Sequence, residues 1–124
     1  MCIRDRFYPG TGFPSLADNM HNLPFPAYTK GDVIRKKIEE QWIPALEAFK
    51  PEMILISAGF DAHRDDDLGQ LGLVEADYTW ITRRLKEVAG KYAQGRIVSS
   101  LEGGYNLHAL ASSVEAHVRA LADI

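Results

Sequence analysis

The sequence has little with which to staple or anchor itself. Cys2 is its single cysteine, which excludes an internal disulfide framework and any cysteine-built structural zinc site. A reducing, cytoplasmic setting is the corresponding expectation. Basic excess is absent too: 14 Lys and Arg stand against 17 Asp and Glu, for a formal net charge of −3. With no basic stripe visible, the sequence argues against nucleic-acid binding by charge. The longest apolar run, Met53 to Ile56 and its neighbours, falls far short of the roughly 20 residues a membrane span needs. Residues 1–6, MCIRDR, lack the apolar core of a signal peptide and follow no periodic pattern, so they are read as foreign to the fold. What is present is ordinary: 124 residues, 46% hydrophobic and 25% charged, enough for one domain or part of one.

The chain divides into two unequal parts. Residues 1–31 hold four of the six prolines (Pro9, Pro14, Pro24, Pro26). Proline fixes φ and removes a donor, so this segment is expected to be an irregular loop region without regular elements. A loop of that length is uncommon in a compact domain unless it is functional, which makes 7–31 a candidate active-site loop.

From Asp32 onward, periodicity takes over. Ile34, Ile38, Trp42, Leu46 and Phe49 recur at helical spacing, with Asp32 as the expected N-cap and Pro44 as a bend or local break. Met53–Ala58 is a short apolar run after Pro51, read as a strand buried on both faces. Tyr78, Ile81, Leu85, Val88 and Tyr92 form the cleanest helical stripe in the chain. Ile97–Leu101 is a second strand. Gly103 and Gly104 turn the chain, Asn106 is a candidate cap, and Leu107, Leu110, Val114, Val118 and Leu121 mark a last helix. The order is loop–α–β–α–β–α, an α/β class with two parallel strands joined by a right-handed crossover. Two strands make too small a sheet to hide both faces of such apolar runs, so the 124 residues are expected to be part of a larger domain or to need a partner.

In open parallel sheets, ligands gather at the carboxyl ends of the strands. Two loops leave such ends: Ser57-Ala58-Gly59-Phe60-Asp61-Ala62-His63-Arg64-Asp65-Asp66-Asp67, and Leu101-Glu102-Gly103-Gly104-Tyr105-Asn106. Adjacent strands lie about 4.8 Å apart, which places Asp61 and Tyr105 on one rim. A carboxylate and a phenol there suit metal-assisted attack on a carbonyl, the first as cation ligand and the second as donor to the oxyanion. Each residue also has a plainer reading. An Asp after a strand more often caps a turn, and a Tyr beside two glycines more often packs. Asp65, Asp66 and Asp67 read by default as a solvated acidic loop. His63 reads as a supporting or surface group, while His108 and His117 read as structural. His21 has no nameable partner. Position and spacing alone indicate a site and not a reaction.

At these loops the sequence resembles the histone deacetylase family, which includes bacterial acetylpolyamine amidohydrolases. Ile56-Ser57-Ala58-Gly59-Phe60-Asp61-Ala62-His63-Arg64-Asp65-Asp66 is similar to the family's S-A-G-F-D-A-H segment in its class II-like form. Leu101-Glu102-Gly103-Gly104-Tyr105 resembles its L-E-G-G-Y segment, and Phe7-Tyr8-Pro9-Gly10-Thr11-Gly12 its aromatic-P-G-T-G loop. The resemblance implies a parallel-sheet, three-layer arginase/deacetylase-like fold and a catalytic Zn²⁺ held by three protein ligands, one of them Asp61. It implies that Tyr105 polarises the amide carbonyl and stabilises the oxyanion. Tyr8 and Leu68 match walls of a narrow acyl-lysine tunnel, and Gly103 and Gly104 leave room for substrate. The implied reaction hydrolyses an N-acetyl amide of acetyl-lysine or an acetylated polyamine to acetate and a free amine.

The departures are specific. The family's other two zinc ligands, an Asp and a His at D-x-H spacing, belong before the Phe7 loop, and no such triplet precedes it here. The tandem histidines that serve as general base are also absent, as are residues of the neighbouring monovalent-cation site. Asp67 stands where proline is usual, and Val74 where a helix-capping Thr is common, at about 1 kcal/mol of lost capping. The 124 residues are therefore expected to be the C-terminal part of a deacetylase domain, inactive alone. Two other readings remain: a non-catalytic module whose Gly103–Gly104 turn cradles an anion, and a pseudoenzyme subunit whose sheet edge pairs with another chain.

Overall fold

A computed structural model describes residues 17–124 together with the backbone of residues 2–4. The expected order of helices and strands is observed. Helix α1 (Gly31–Lys37) runs through one π-helical turn (Ile38–Trp42) into α2 (Ile43–Phe49). Pro44 supplies no N–H and its ring crowds the carbonyl one turn back, so the helix widens ahead of it and does not break. Lys50, in the left-handed region at φ 54°, and Pro51 then end it. The N-cap falls at Lys30, two residues before the expected Asp32, which instead sits in the first turn near the positive end of the helix.

Strands β3 (Ile54–Ala58) and β4 (Ile97–Leu101) pair in parallel and in register, Ile54 with Ile97 through Ala58 with Leu101. The crossover between them is α3 (Glu75–Tyr92), and α4 (Leu107–Ala122) follows β4. Val74 offers no side-chain cap to α3. Asp77 takes over, its Oδ2 accepting from the Val74 amide at 2.8 Å while its Oδ1 receives Arg35 Nη2 at 2.6 Å. One buried carboxylate thus starts α3 and ties it to α1. Asn106 caps α4 as expected, accepting from Ala109 N at 3.1 Å.

Residues 1–31 are not wholly irregular. Strand β1 (Cys2–Arg4) lies parallel to β2 (Leu23–Phe25). Pro24 is tolerated because its neighbours Leu23 and Phe25 alternate into the core while it stays half-exposed. The core joins these two residues to Ile34, Ile38, Ile43, Ile54, Ala58, Phe60, Leu71, Leu73, Tyr78, Val88 and Ala89.

The expectation of strands buried on both faces fails. Ile54 and Ala58 are buried under the helices, but Leu55 is 73% exposed and its partner Val98 54%. Among the described residues nothing covers that face, and an apolar strand is buried only where a second layer meets it. Helix α4 shows the same effect: Ala109, Ser113, His117 and Ala120 turn inward, while Leu107 and Val118 of the expected stripe stay exposed. Phe49 is likewise exposed.

Candidate active site

Because β3 and β4 end level, the loops that leave them run side by side. The Phe60 amide donates to the Gly103 carbonyl at 2.8 Å, and the Glu102 amide to the Ala58 carbonyl at 2.9 Å. This ladder carries Asp61 over the glycine turn. A Cβ on Gly103 would stand 2.9 Å from Asp61 Oδ1, and one on Gly59 would stand 3.0 Å from it. Both glycines are therefore spaces the carboxylate fills. Gly69 closes from below, since any Cβ there would run into the Asp61 carbonyl. Gly104 adopts φ 136°, a conformation that favours glycine, and its position faces Leu110 and Phe60.

Asp61 is half-buried, and its own backbone N–H is the hydrogen bond that steadies its charge. Burial pushes its carboxyl above the ordinary value, its own amide opposes this, and the charge of Asp66 raises it further. Among the described residues no cation contributes to this, and a half-buried carboxylate without a counter-charge has the character of a cation ligand. Among the described residues, no group of three or more His, Cys, Asp or Glu side chains converges to hold a metal ion.

Tyr105 leaves the same turn, its side chain 60% exposed. Leu68 is exposed on the other loop. Asp61 thus lies against Gly103, with Gly104 and Tyr105 following in the same turn and Leu68 on the Asp61 loop, while Tyr8 lies outside the described residues.

Sequence reasoning misread Asp66. It is not part of a solvated acidic run: it is 3% exposed, and Oδ2 accepts from Tyr105 N at 2.6 Å and Asn106 N at 3.0 Å while Oδ1 accepts from Leu68 N at 2.9 Å. Burial works to raise its pKa, but those amides and that of Gly69 outweigh it and hold the carboxyl below its ordinary value. Its bond to the amide two residues on is Asx-turn chemistry, which the run of three aspartates does not assign to one of them.

His63 is also interior, 2% exposed. Nδ1 accepts from Asp65 N at 3.1 Å, and Nε2 faces Glu75 Oε1 at 3.5 Å. Glu75 in turn accepts from Ser112 Oγ at 2.7 Å, which joins α3 to α4 beside this loop. His117 is structural as expected, with Nδ1 2.7 Å from Thr82 Oγ1 and Nε2 2.9 Å from Ser99 Oγ. Its burial lowers its pKa. His108 lies exposed on the first turn of α4.

Comparison with known proteins decides the lineage. The model of the histone deacetylase domain matches residues 3–121. The chain belongs to the histone deacetylase family. Type-2 histone deacetylase 2 of Dictyostelium discoideum is 41% identical over 128 residues, covering 93% of this chain and 8% of that protein. Histone deacetylase 14, chloroplastic, of Arabidopsis thaliana is 40% identical over 126 residues, covering 95% of this chain and 29% of that protein. The solved structure of the histone deacetylase Clr3 superposes with a TM-score of 0.83 at 28% identity, covering 99% of this chain and 22% of that one. This deacetylase-family chain therefore spans less than a third of these relatives, and its parallel strands and helices are part of the deacetylase α/β fold. Among the described residues, no helix is long and apolar enough to cross a membrane.

Proposed function

We propose that this chain forms the C-terminal part of a zinc-dependent deacetylase domain acting on N-acetyl amides of acetyl-lysine or acetylated polyamines, and that it does not turn over substrate alone. The observation that carries this is the Asp61 carboxylate resting on Gly103, two residues before Tyr105, on a rim built by adjacent strand ends. Asp61 fits one ligand position of a Zn²⁺ site, as its half-burial and its lack of a counter-charge among the described residues suggest, and the remaining ligands and the general base have to come from other residues. Zinc bound there would lower the pKa of water and draw charge from the acyl carbonyl.

The chain's own residues have simple tasks. The Tyr105 phenol donates a hydrogen bond to the acyl oxygen as it gains negative charge. Gly103 and Gly104 leave space for the acyl group, and Leu68, with Tyr8, walls the approach of the aliphatic amine. The physiological setting in this proposal is cytoplasmic, on the strength of the lone Cys2. An anion cradle at the Gly103–Gly104 turn is the weaker reading, because the Tyr105 and Asn106 amides it would use are already donated to Asp66.

The test is a deacetylase assay with added zinc on the purified 124-residue chain and on the parent that restores the D-x-H and tandem-histidine segments. Acetate release from the parent alone is expected. Turnover by the short chain at a complete enzyme's rate overturns the division of ligands, and an inactive parent overturns the deacetylase reading.

A further inference from the structure

We infer that Asp66 is a positioning residue for deacetylation: its carboxylate clamps the Tyr105 loop to the Asp61 loop and so sets the phenol relative to the metal ligand. This rests on the role given to Tyr105 above and adds a residue to that site.

The case begins with what holds Tyr105. Its side chain is exposed, and among the described residues no hydrogen bond restrains its hydroxyl, so its position follows from its backbone. That backbone is preceded by two glycines, one at φ 136°, which supply freedom and not constraint. What fixes it is Asp66 Oδ2, accepting from both the Tyr105 and Asn106 amides across 39 residues of sequence. The Asn106 Nδ2 bond to the Asp65 carbonyl, 2.8 Å, reinforces the same junction.

The other oxygen faces the opposite loop. Oδ1 takes the Leu68 amide, and Leu68 is followed by Gly69, whose backbone rests on the Asp61 carbonyl. One carboxylate thus touches the catalytic turn, the tunnel-wall position and the segment that supports the metal ligand. Among the described residues its interior charge is met by backbone N–H groups and not by a cation, so both oxygens are committed to holding the two loops together.

Three measurements test this. In the unmodified 124-residue chain, scalar coupling across the hydrogen bonds between the Tyr105 and Asn106 amide nitrogens and the Asp66 side-chain carboxyl carbon should be detectable, and its absence overturns the clamp. Asp66→Asn should speed amide exchange at Tyr105 and Asn106 by about tenfold or more while Val88 and Ala89 in α3 stay unchanged. In the parent enzyme the same variant should lower kcat on the order of 10- to 100-fold, with KM within about threefold and zinc content unaltered. Unchanged exchange, or a loss carried entirely in KM or zinc content, overturns the positioning role. If the variant does not fold, the coupling measurement decides. A parent without deacetylase activity before any substitution counts against Tyr105's catalytic role, a result separable from the coupling and exchange data.

Discussion

Asp61 and Asp66 lie five residues apart on one loop, yet the fold treats them in opposite ways. Asp66 is interior and saturated with amide donors, and its carboxyl is easier to ionise than usual. Asp61 is half-buried over two glycines with its own amide as support, and its carboxyl is harder to ionise than usual. The difference teaches that charge satisfied from within builds structure, while charge left unsatisfied is available for a ligand.

Substitutions can break that contrast, beginning with the largest effect. Gly69→Val drives a side chain into the Asp61 carbonyl, and a fall in stability of about 3 kcal/mol or more by urea unfolding is expected. Asp66→Ala removes the acceptor of three part-buried amides and should cost about 2 kcal/mol, whereas Asp61→Asn should stay within about 0.5 kcal/mol. Equal losses at the two positions would erase the distinction. Gly103→Ala sits between them: its Cβ would crowd Asp61 Oδ1 at 2.9 Å, at about 1 kcal/mol in the fold. Under the proposed function it should also abolish most deacetylase activity in the parent by displacing the Asp61 carboxylate.

The pH dependence should sharpen the contrast with the smallest signal. A carboxyl held low, as at Asp66, contributes stability that is present above its unfolded-state pKa and is lost as pH falls through its folded value. Asp61 is held high, so its contribution is present below its unfolded-state pKa and is lost as pH rises through its folded value. Urea midpoints measured from about pH 3 to 7 should show a shallower acid loss in Asp66→Asn. They should show a small gain near neutrality in Asp61→Asn.

Much of this was legible in the sequence. Stripes such as Tyr78 to Tyr92 and the runs at Met53–Ala58 and Ile97–Leu101 report helix and strand because burial periodicity is written into composition. The two loop motifs marked the adjoining strand ends where Asp61 comes to lie against Gly103. Strand pairing at Cys2–Arg4 and Leu23–Phe25 was hidden, since three-residue strands carry no periodicity and depend on distant partners. The open face of Leu55 and Val98 agrees with the reading that two strands are too few to hide both faces of such runs: the residues are those of a covered strand, and the cover is not among those described. Asp66 escaped because three successive aspartates look alike until the amides that select one of them are in place.

The level ending of β3 and β4, with Ala58 beside Leu101, has a consequence for how such a domain tolerates change in length. A whole turn added to the exposed side of the α3 crossover leaves both strand ends where they are, so the outer layer is free to grow or shrink. One residue added between Ala58 and Asp61, or between Leu101 and Tyr105, shifts an acid or a phenol by the full spacing of a peptide unit, about 3.8 Å. Variation in size is therefore confined to the outside of the layer, and these two short spans have to keep their count.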